Sequence, residues 1–233
     1  MGEHAQKRIV RKLDLELFLA KIAPQPEPDA KLEQYTTSES VAATMLYIAA
    51  YANNDVAGKT VLDLGCGTGR LALSACYLGA KEVVGIDVDR RAIGAAVENA
   101  RHVGLAGCVD WVVGDIEAVT GKFDVVIQNP PFGVQTREAD RAFLVKALEL
   151  GKSIYSLHNH PETDKRLIKQ LKASGGCLQV ESSPFLQRFV SEHNGVVKAV
   201  YAIPMTIPRL FDFHSQLRRD FVVDLYVIEA LNR

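Results

Sequence analysis

The stretch Val61-Leu62-Asp63-Leu64-Gly65-Cys66-Gly67-Thr68-Gly69 sets a glycine-rich turn directly behind a short apolar run and ahead of a helical pattern that starts at Arg70. A strand that runs through glycines into a helix opens a βαβ unit, and glycines at that corner let the backbone approach a ligand closely. The chain on either side keeps the alternation. Strands are predicted at 60–64, 82–86, 109–113, 123–128 and 153–157, with helices at 70–78, 90–103 and 137–150 between them. Apolar runs alternating with helices predict an α/β fold built on a parallel, doubly wound sheet. Further on, 196–205 and 220–228 read as two long strands able to pair antiparallel. Ahead of the glycine turn, residues 3–22 carry Ile9, Leu13, Leu17 and Leu19 in an amphipathic pattern that ends before Pro24, Pro26 and Pro28. A second helix is expected from Ser38, a candidate N-cap, to about Tyr51.

Length and composition set bounds on this reading. A chain of 233 residues, 48% hydrophobic and 24% charged, fits one large α/β domain with decorations. No apolar run approaches the roughly 20 residues that span a bilayer, and the amino terminus opens on charged residues, so a cytoplasmic protein is expected. The four cysteines form no C-x-x-C pair, which argues against a zinc site or a disulfide framework. His158 and His160 have no third ligand partner in the sequence, so no metal is expected. A net charge of −1 argues against a protein that grips nucleic acid over most of its surface. Any such contact would come from local basic patches.

Two cofactors compete for the glycine turn. Dinucleotide sites read G-x-G-x-x-G and point a helix N-terminus at a pyrophosphate. Here the spacing is G-x-G-x-G, at Gly65, Gly67 and Gly69, and Asp63 stands two residues ahead. A carboxylate there repels a pyrophosphate and suits the cationic amino end and sulfonium of S-adenosylmethionine. Asp87 closes the second strand about 20 residues on, where a carboxylate can accept two ribose hydroxyls. Gly114-Asp115 closes the third, where Asp115 can accept from an adenine N6 amine. The plainer alternative is a tight βα turn with a capping aspartate.

The fourth strand stops at Asn129-Pro130-Pro131-Phe132. Two prolines end strand pairing and stiffen the backbone. An exocyclic aromatic amine is a weak nucleophile because its lone pair is delocalised. Accepting both of its N–H hydrogens, on the Asn129 side-chain oxygen and the Pro130 carbonyl, would make the nitrogen more tetrahedral and aim its lone pair at a methyl group. Pro131 helps to fix those acceptors, and Phe132 offers a face for a base that has left its helix. A β-turn with an exposed phenylalanine is the bland alternative.

This tetrapeptide resembles the signature of class I methyltransferases that act on amino groups in a planar system, including adenine N6, guanine N2 and protein glutamine N5. Further segments follow in order: Leu32-Glu33-Gln34-Tyr35-Thr36-Thr37, Asp63 to Gly67, Ala142-Phe143-Leu144, Tyr155-Ser156-Leu157-His158, Phe213-His214 and Val223-Asp224-Leu225. From about Lys31 onward the chain is similar to methyltransferase-like enzymes of archaea and eukaryotes that methylate adenine N6 in small-subunit ribosomal RNA. That resemblance implies a Rossmann-like class I methyltransferase with a seven-stranded, mostly parallel sheet, an antiparallel C-terminal strand and helices on both faces. It implies N-terminal helices and a cofactor lid over 1–58 and a methyltransferase core over 59–233. It places Gln34, Tyr35 and Thr37 over the methionine end of S-adenosylmethionine, with Asp63, Gly65, Gly67, Asp87, Asp115 and Asn129 around the remainder. Guanine N2 and protein glutamine N5 stay open as alternative targets.

Two departures from the family pattern stand out: Thr36 occupies a position where proline is common, and 161–183 looks like an insertion. The insertion carries Lys165, Arg166, Lys169 and Lys172 at helical spacing, a face for phosphates or simply a solvated one. Arg209, Arg218 and Arg219, around Phe213-His214, form the stronger candidate for RNA, since the resemblance places a basic segment there. The third strand, Val109 to Val113, is expected at a sheet edge and carries the only tryptophan. The resemblance implies that a small zinc-binding activator protein docks beside it; the alternative is a tryptophan packed under the neighbouring helix.

Overall fold

A computed structural model of the chain describes residues 10–25, 36–132, 139–161, 165–208 and 218–231. The strands are β1 (Thr60–Leu64), β2 (Glu82–Asp87), β3 (Asp110–Val113), β4 (Phe123–Gln128), β5 (Gly151–Asn159), β6 (Leu178–Val180), β7 (Gly195–Pro208) and β8 (Arg218–Ala230). The helices are α1 (Lys12–Leu19), α2 (Glu39–Tyr47), α3 (Arg70–Tyr77), α4 (Arg90–His102), α5 (Ala139–Leu150), α6 (Lys165–Ala173) and α7 (Pro184–Glu192), with a π-helical turn over Ile48–Ala52 after α2. All eight strands join one sheet in the order β3-β2-β1-β4-β5-β8-β7-β6.

The first five strands in that order run parallel. The last three run antiparallel to their neighbours. β1 is a run of Val61, Leu62, Asp63 and Leu64, all buried, as a strand covered on both faces demands. Helices α1 to α4 cover one face, where Leu15, Met45, Leu73 and Ala100 join a core with Val61, Ile127 and Tyr155. Helices α5 and α7 cover the other, where Leu144 and Val190 meet Leu62, Val126 and Ile228. The chain winds outward from β1 through β2 to β3 and then returns to β4 on the opposite side of β1. That reversal opens a crevice at the carboxyl ends of β1 and β4, the usual ligand position in such sheets.

Among the described residues the sheet has eight strands, not the expected seven. The extra strand is β6, three residues that pair antiparallel with Val200, Tyr201 and Ala202. It lies inside 161–183, together with α6. Leu171 of α6 buries against Ala202 of β7 and Val222 of β8, with Leu167 and Ile168 beside it. A three-residue strand has no period to read in the sequence.

Ser38 does occupy the N-cap of α2, but its hydroxyl caps no backbone N–H. The expected helix over 3–22 is described only as α1, and residues 1–9 lie outside the described segments. Among the described residues no helix is long and apolar enough to cross a membrane.

Candidate active site

β1 and β4 are in register with Asp63 opposite Ile127, which sets the glycine turn and Asn129 side by side at the carboxyl edge. Gly65, at φ +72°, starts the turn. A Cβ there would stand 2.8 Å from the Phe143 ring, so a side chain would collide with α5 as well as strain the backbone. Gly69, at φ +82°, closes the turn against Trp111, whose ring would lie 2.6 Å from an added Cβ. Trp111 also lies over Gly85 of β2. The tryptophan of β3 therefore packs inward, beneath α4, and braces the turn from behind. β3 is the sheet edge, as expected, and it leaves Asp110, Val112 and Val113 exposed.

A cavity of about 470 Å³ opens in front of the turn, with Asp63, Asp87, Asp115 and Asn129 in its wall. Asp63 is fully buried. One of its oxygens accepts from the Ala72 N–H of α3 at 2.8 Å, while Oδ1 has no partner. Burial pushes its carboxyl up to about 8, and the nearby Asp87 charge adds to that rise. A buried, half-satisfied carboxylate facing a cavity suits a ligand cation. Asp87 is held by two backbone donors, Gly67 N–H at 2.8 Å and Asp89 N–H at 2.9 Å, one on each oxygen. Each oxygen keeps a lone pair for a hydroxyl donor. Burial raises its pKa as well. Asp115 caps a short 3₁₀ turn by accepting from Glu117 N–H at 2.9 Å, and it lines the cavity. Gly67 has open space where a Cβ would be.

Asn129 follows the last residue of β4. Its Nδ2 donates to Thr37 Oγ1 at 2.9 Å, and its Oδ1 is buried without a partner. Pro130 behind it is buried, and the half-buried Phe132 meets Phe221 of β8 edge to face, ring centroids 6.3 Å apart. Thr37 thus stands between the segment ahead of α2 and the strand end. Gln34, Tyr35, Gly133, Arg209, Phe213 and His214 lie outside the described residues, and Arg218 and Arg219 begin β8.

His158 of β5 and His160, just past its end, are engaged within the fold. His158 Nε2 lies 2.9 Å from Ser156 Oγ, which accepts from Gln128 Nε2 at 2.9 Å, and burial drops the imidazole to about 4. His160 Nδ1 lies 2.8 Å from the buried Asp224 carboxylate of β8.

Three residues at this edge escape a local reading. Asn99 of α4 accepts from Ala23 N–H at 2.9 Å and donates to Ala23 O at 3.0 Å and Thr68 O at 3.1 Å, tying the proline-rich connector to the glycine turn. Gln25, within that connector, lines the cavity and donates to Asp89 Oδ2 at 3.3 Å. Arg70, only 7% exposed, donates to Ile22 O, Thr37 O and Glu39. Two of the three carry a faint signal: Asn99 is a polar residue on the apolar stripe of α4, and Arg70 is an arginine opening an apolar helix.

Residues 35–153 match the family described as methyltransferase small domain, half of the chain. The chain belongs to that family. It is similar along nearly its whole length to individual proteins too. An uncharacterised protein of Methanocaldococcus jannaschii is 37% identical over 96% of both chains. The rRNA N(6)-adenosine-methyltransferase METTL5 of Danio rerio is 32% identical, covering 91% of this chain and 95% of that one. A crystal structure from Pyrococcus horikoshii, of a protein proposed to be an RNA methyltransferase, superposes with a TM-score of 0.80 at 33% identity, over 97% of this chain and all of the other.

This methyltransferase small domain protein is an S-adenosylmethionine-dependent methyltransferase, and its cavity fits that cofactor. The partnerless Asp63 oxygen suits the cofactor's ammonium, Asp87 its ribose, and the uncovered backbone at Gly67 the close approach of its chain.

Proposed function

We propose that the chain methylates N6 of an adenine in small-subunit ribosomal RNA, in the cytoplasm. The observation that carries this reading is the Asn129 amide, its nitrogen held by Thr37 and its oxygen buried without a partner at the mouth of the cofactor cavity. Bound S-adenosylmethionine supplies an electrophilic methyl group on a sulfonium. Asn129 Oδ1 and the Pro130 carbonyl accept the two N–H hydrogens of an exocyclic amine, which localises the nitrogen lone pair and orients it. Phe132, steadied by Phe221, stacks the base. The methylated nitrogen then sheds one proton to water. Relatives that act on rRNA adenine along nearly the whole chain support the choice of adenine over guanine N2 or a protein glutamine.

The outer edge of β3 supports a second part of the reading, a small zinc-binding activator protein that adds a strand there. Among the described residues β3 pairs only with β2, and Val112 and Val113 are 42% and 44% exposed. An unpaired strand edge with an apolar outer surface is a template for another chain.

The deciding experiment incubates the protein, with and without the activator, with methyl-labelled S-adenosylmethionine and unmodified small-subunit rRNA, then digests the RNA to nucleosides. Label is expected in N6-methyladenosine and is expected to fall at least about a hundredfold in Asn129→Ala, the scale for removing a transition-state hydrogen-bond partner. Label in N2-methylguanosine, or only in protein, would move the assignment to that target.

A further inference from the structure

A primary amide has two unlike ends, and only one of them serves an amine. If the Asn129 amide presented its Nδ2 to the substrate, donor would face donor. What the amide nitrogen bonds to on the protein side therefore decides whether the residue can act at all. That partner is Thr37 Oγ1, 2.9 Å from Asn129 Nδ2. Thr37 is only 7% exposed, so no bulk water competes for the contact.

Thr37 is itself held. Arg70 Nη1 donates to the Thr37 carbonyl at 3.1 Å and to Glu39 Oε1 at 2.9 Å, while Nη2 donates to Ile22 O at 2.9 Å. One planar guanidinium thus fixes backbone on both sides of the connector, at Ile22 and at Thr37. Its rigid fork suits that task better than a lysine ammonium would. Arg70 is also the first residue of α3, immediately after Gly69. The first residue after the cofactor turn is therefore two hydrogen bonds from the amide beside the substrate.

We propose that Thr37 is the positioning residue of the transfer step: its hydroxyl holds the Asn129 amide with the oxygen towards the substrate amine, and Arg70 holds Thr37 in place to do so. The inference rests on the reading of Asn129 as the amine acceptor. It assigns Thr37 a role in the rate of transfer, distinct from the cofactor contact that the family resemblance implies. Thr37→Val keeps the shape and removes the acceptor, whereas Thr37→Ser keeps the acceptor and removes a methyl group.

The test measures three quantities on native protein and both variants: single-turnover methyl transfer to rRNA at saturating S-adenosylmethionine, the equilibrium dissociation constant of that cofactor, and hydrogen exchange of the Asn129 side-chain amide by nitrogen-15 NMR. Loss of one hydrogen bond made to a positioned group predicts a transfer rate about tenfold lower in Thr37→Val, with cofactor affinity within about threefold of native. Thr37→Ser is expected to restore the rate to within about threefold, by the same logic. Native-like transfer in Thr37→Val, equal losses in Val and Ser, or a loss confined to cofactor affinity would each overturn the proposal. Slow exchange of the Asn129 amide in native protein is the expected result that needs no variant to fold; rapid exchange also overturns it. Should native protein methylate no RNA at all, the functional reading fails, and the exchange measurement still decides whether Thr37 holds the amide.

Discussion

The parallel and antiparallel halves of the sheet use buried polar groups in opposite ways. Around β1, β2 and β4 the polar atoms stay partly unfilled: Asp63 Oδ1 and Asn129 Oδ1 are buried with no partner. Around β8 and the side of β5 that pairs antiparallel with it, polar groups close on each other, as His160 does on Asp224 and His158 on Ser156. An unfilled buried acceptor destabilises the free protein and is tolerated where a ligand will fill it. A closed pair fixes packing and asks nothing of a ligand. The first half is built for binding, and the second is built to hold it up.

The largest effect that tests this contrast is expected at Asp63. Asp63→Asn removes the charge that the cofactor ammonium meets, and cofactor affinity should drop about ten- to hundredfold, the range for hydrogen bonds to charged groups. The same variant should be more stable than native protein without cofactor at pH 9. Burial has raised the Asp63 carboxyl to about 8, so between the ordinary carboxylate range and that value the folded state binds a proton that the unfolded chain does not. Stability contributed by this group is therefore present at low pH and lost as pH rises towards 8. The asparagine should recover about 1–3 kcal/mol of it in alkaline denaturant titrations. Cofactor binding should follow a bell in pH. It rises as Asp63 ionises and falls as the ligand's α-amino group, with a pKa of about 7.7–8.0, loses its proton, so it peaks near pH 8. A flat profile would mean that the carboxylate is filled from within, like those of the other half.

In the antiparallel half the expectation reverses. Ile228 of β8 is 1% exposed and faces Ile154 across the sheet. Ile228→Ala should cost about 2–5 kcal/mol in urea or thermal unfolding, the usual range for an emptied core site. Cofactor affinity measured well below the transition should stay within about twofold of native, since additivity holds for distant sites. A parallel loss of affinity would show that the two halves are mechanically one.

The halves also differ in how much of them the sequence discloses. Parallel strands lie under long apolar runs with glycine or proline at their ends, so β1, β2 and β4 fall where spacing predicts, and Asp63, Asp87 and Asn129 follow from their positions at strand ends. β7 and β8 were visible as a pair but run longer than their apolar stretches, at 14 and 13 residues, because an antiparallel ladder carries each past the point where side-chain pattern fades. β6 was hidden by its shortness. α7 carries a start signal in the sequence itself: Ser183 caps Leu186 N–H at 3.2 Å and Pro184 takes the first helical position. Arg70, Asn99 and Gln25 make contacts across 48, 76 and 64 residues, and no local pattern encodes such distances.

The smallest effect concerns α6. Its apolar side is committed to Ala202 and Val222, while Arg166 and Lys169 remain exposed. Charges on a solvated helix face contribute little to folding, so Arg166→Glu with Lys169→Glu should change unfolding free energy by less than about 0.5 kcal/mol. If this face touches RNA phosphates, the pair of reversals should weaken rRNA binding several-fold at low salt and flatten the slope of log affinity against log salt by about 2, one for each lost phosphate contact. Affinity and slope that match native protein would mark α6 as a solvated buttress of the antiparallel half. A flattened slope would extend the binding role beyond the parallel half, onto the one strip of sheet that the seven-strand expectation left out.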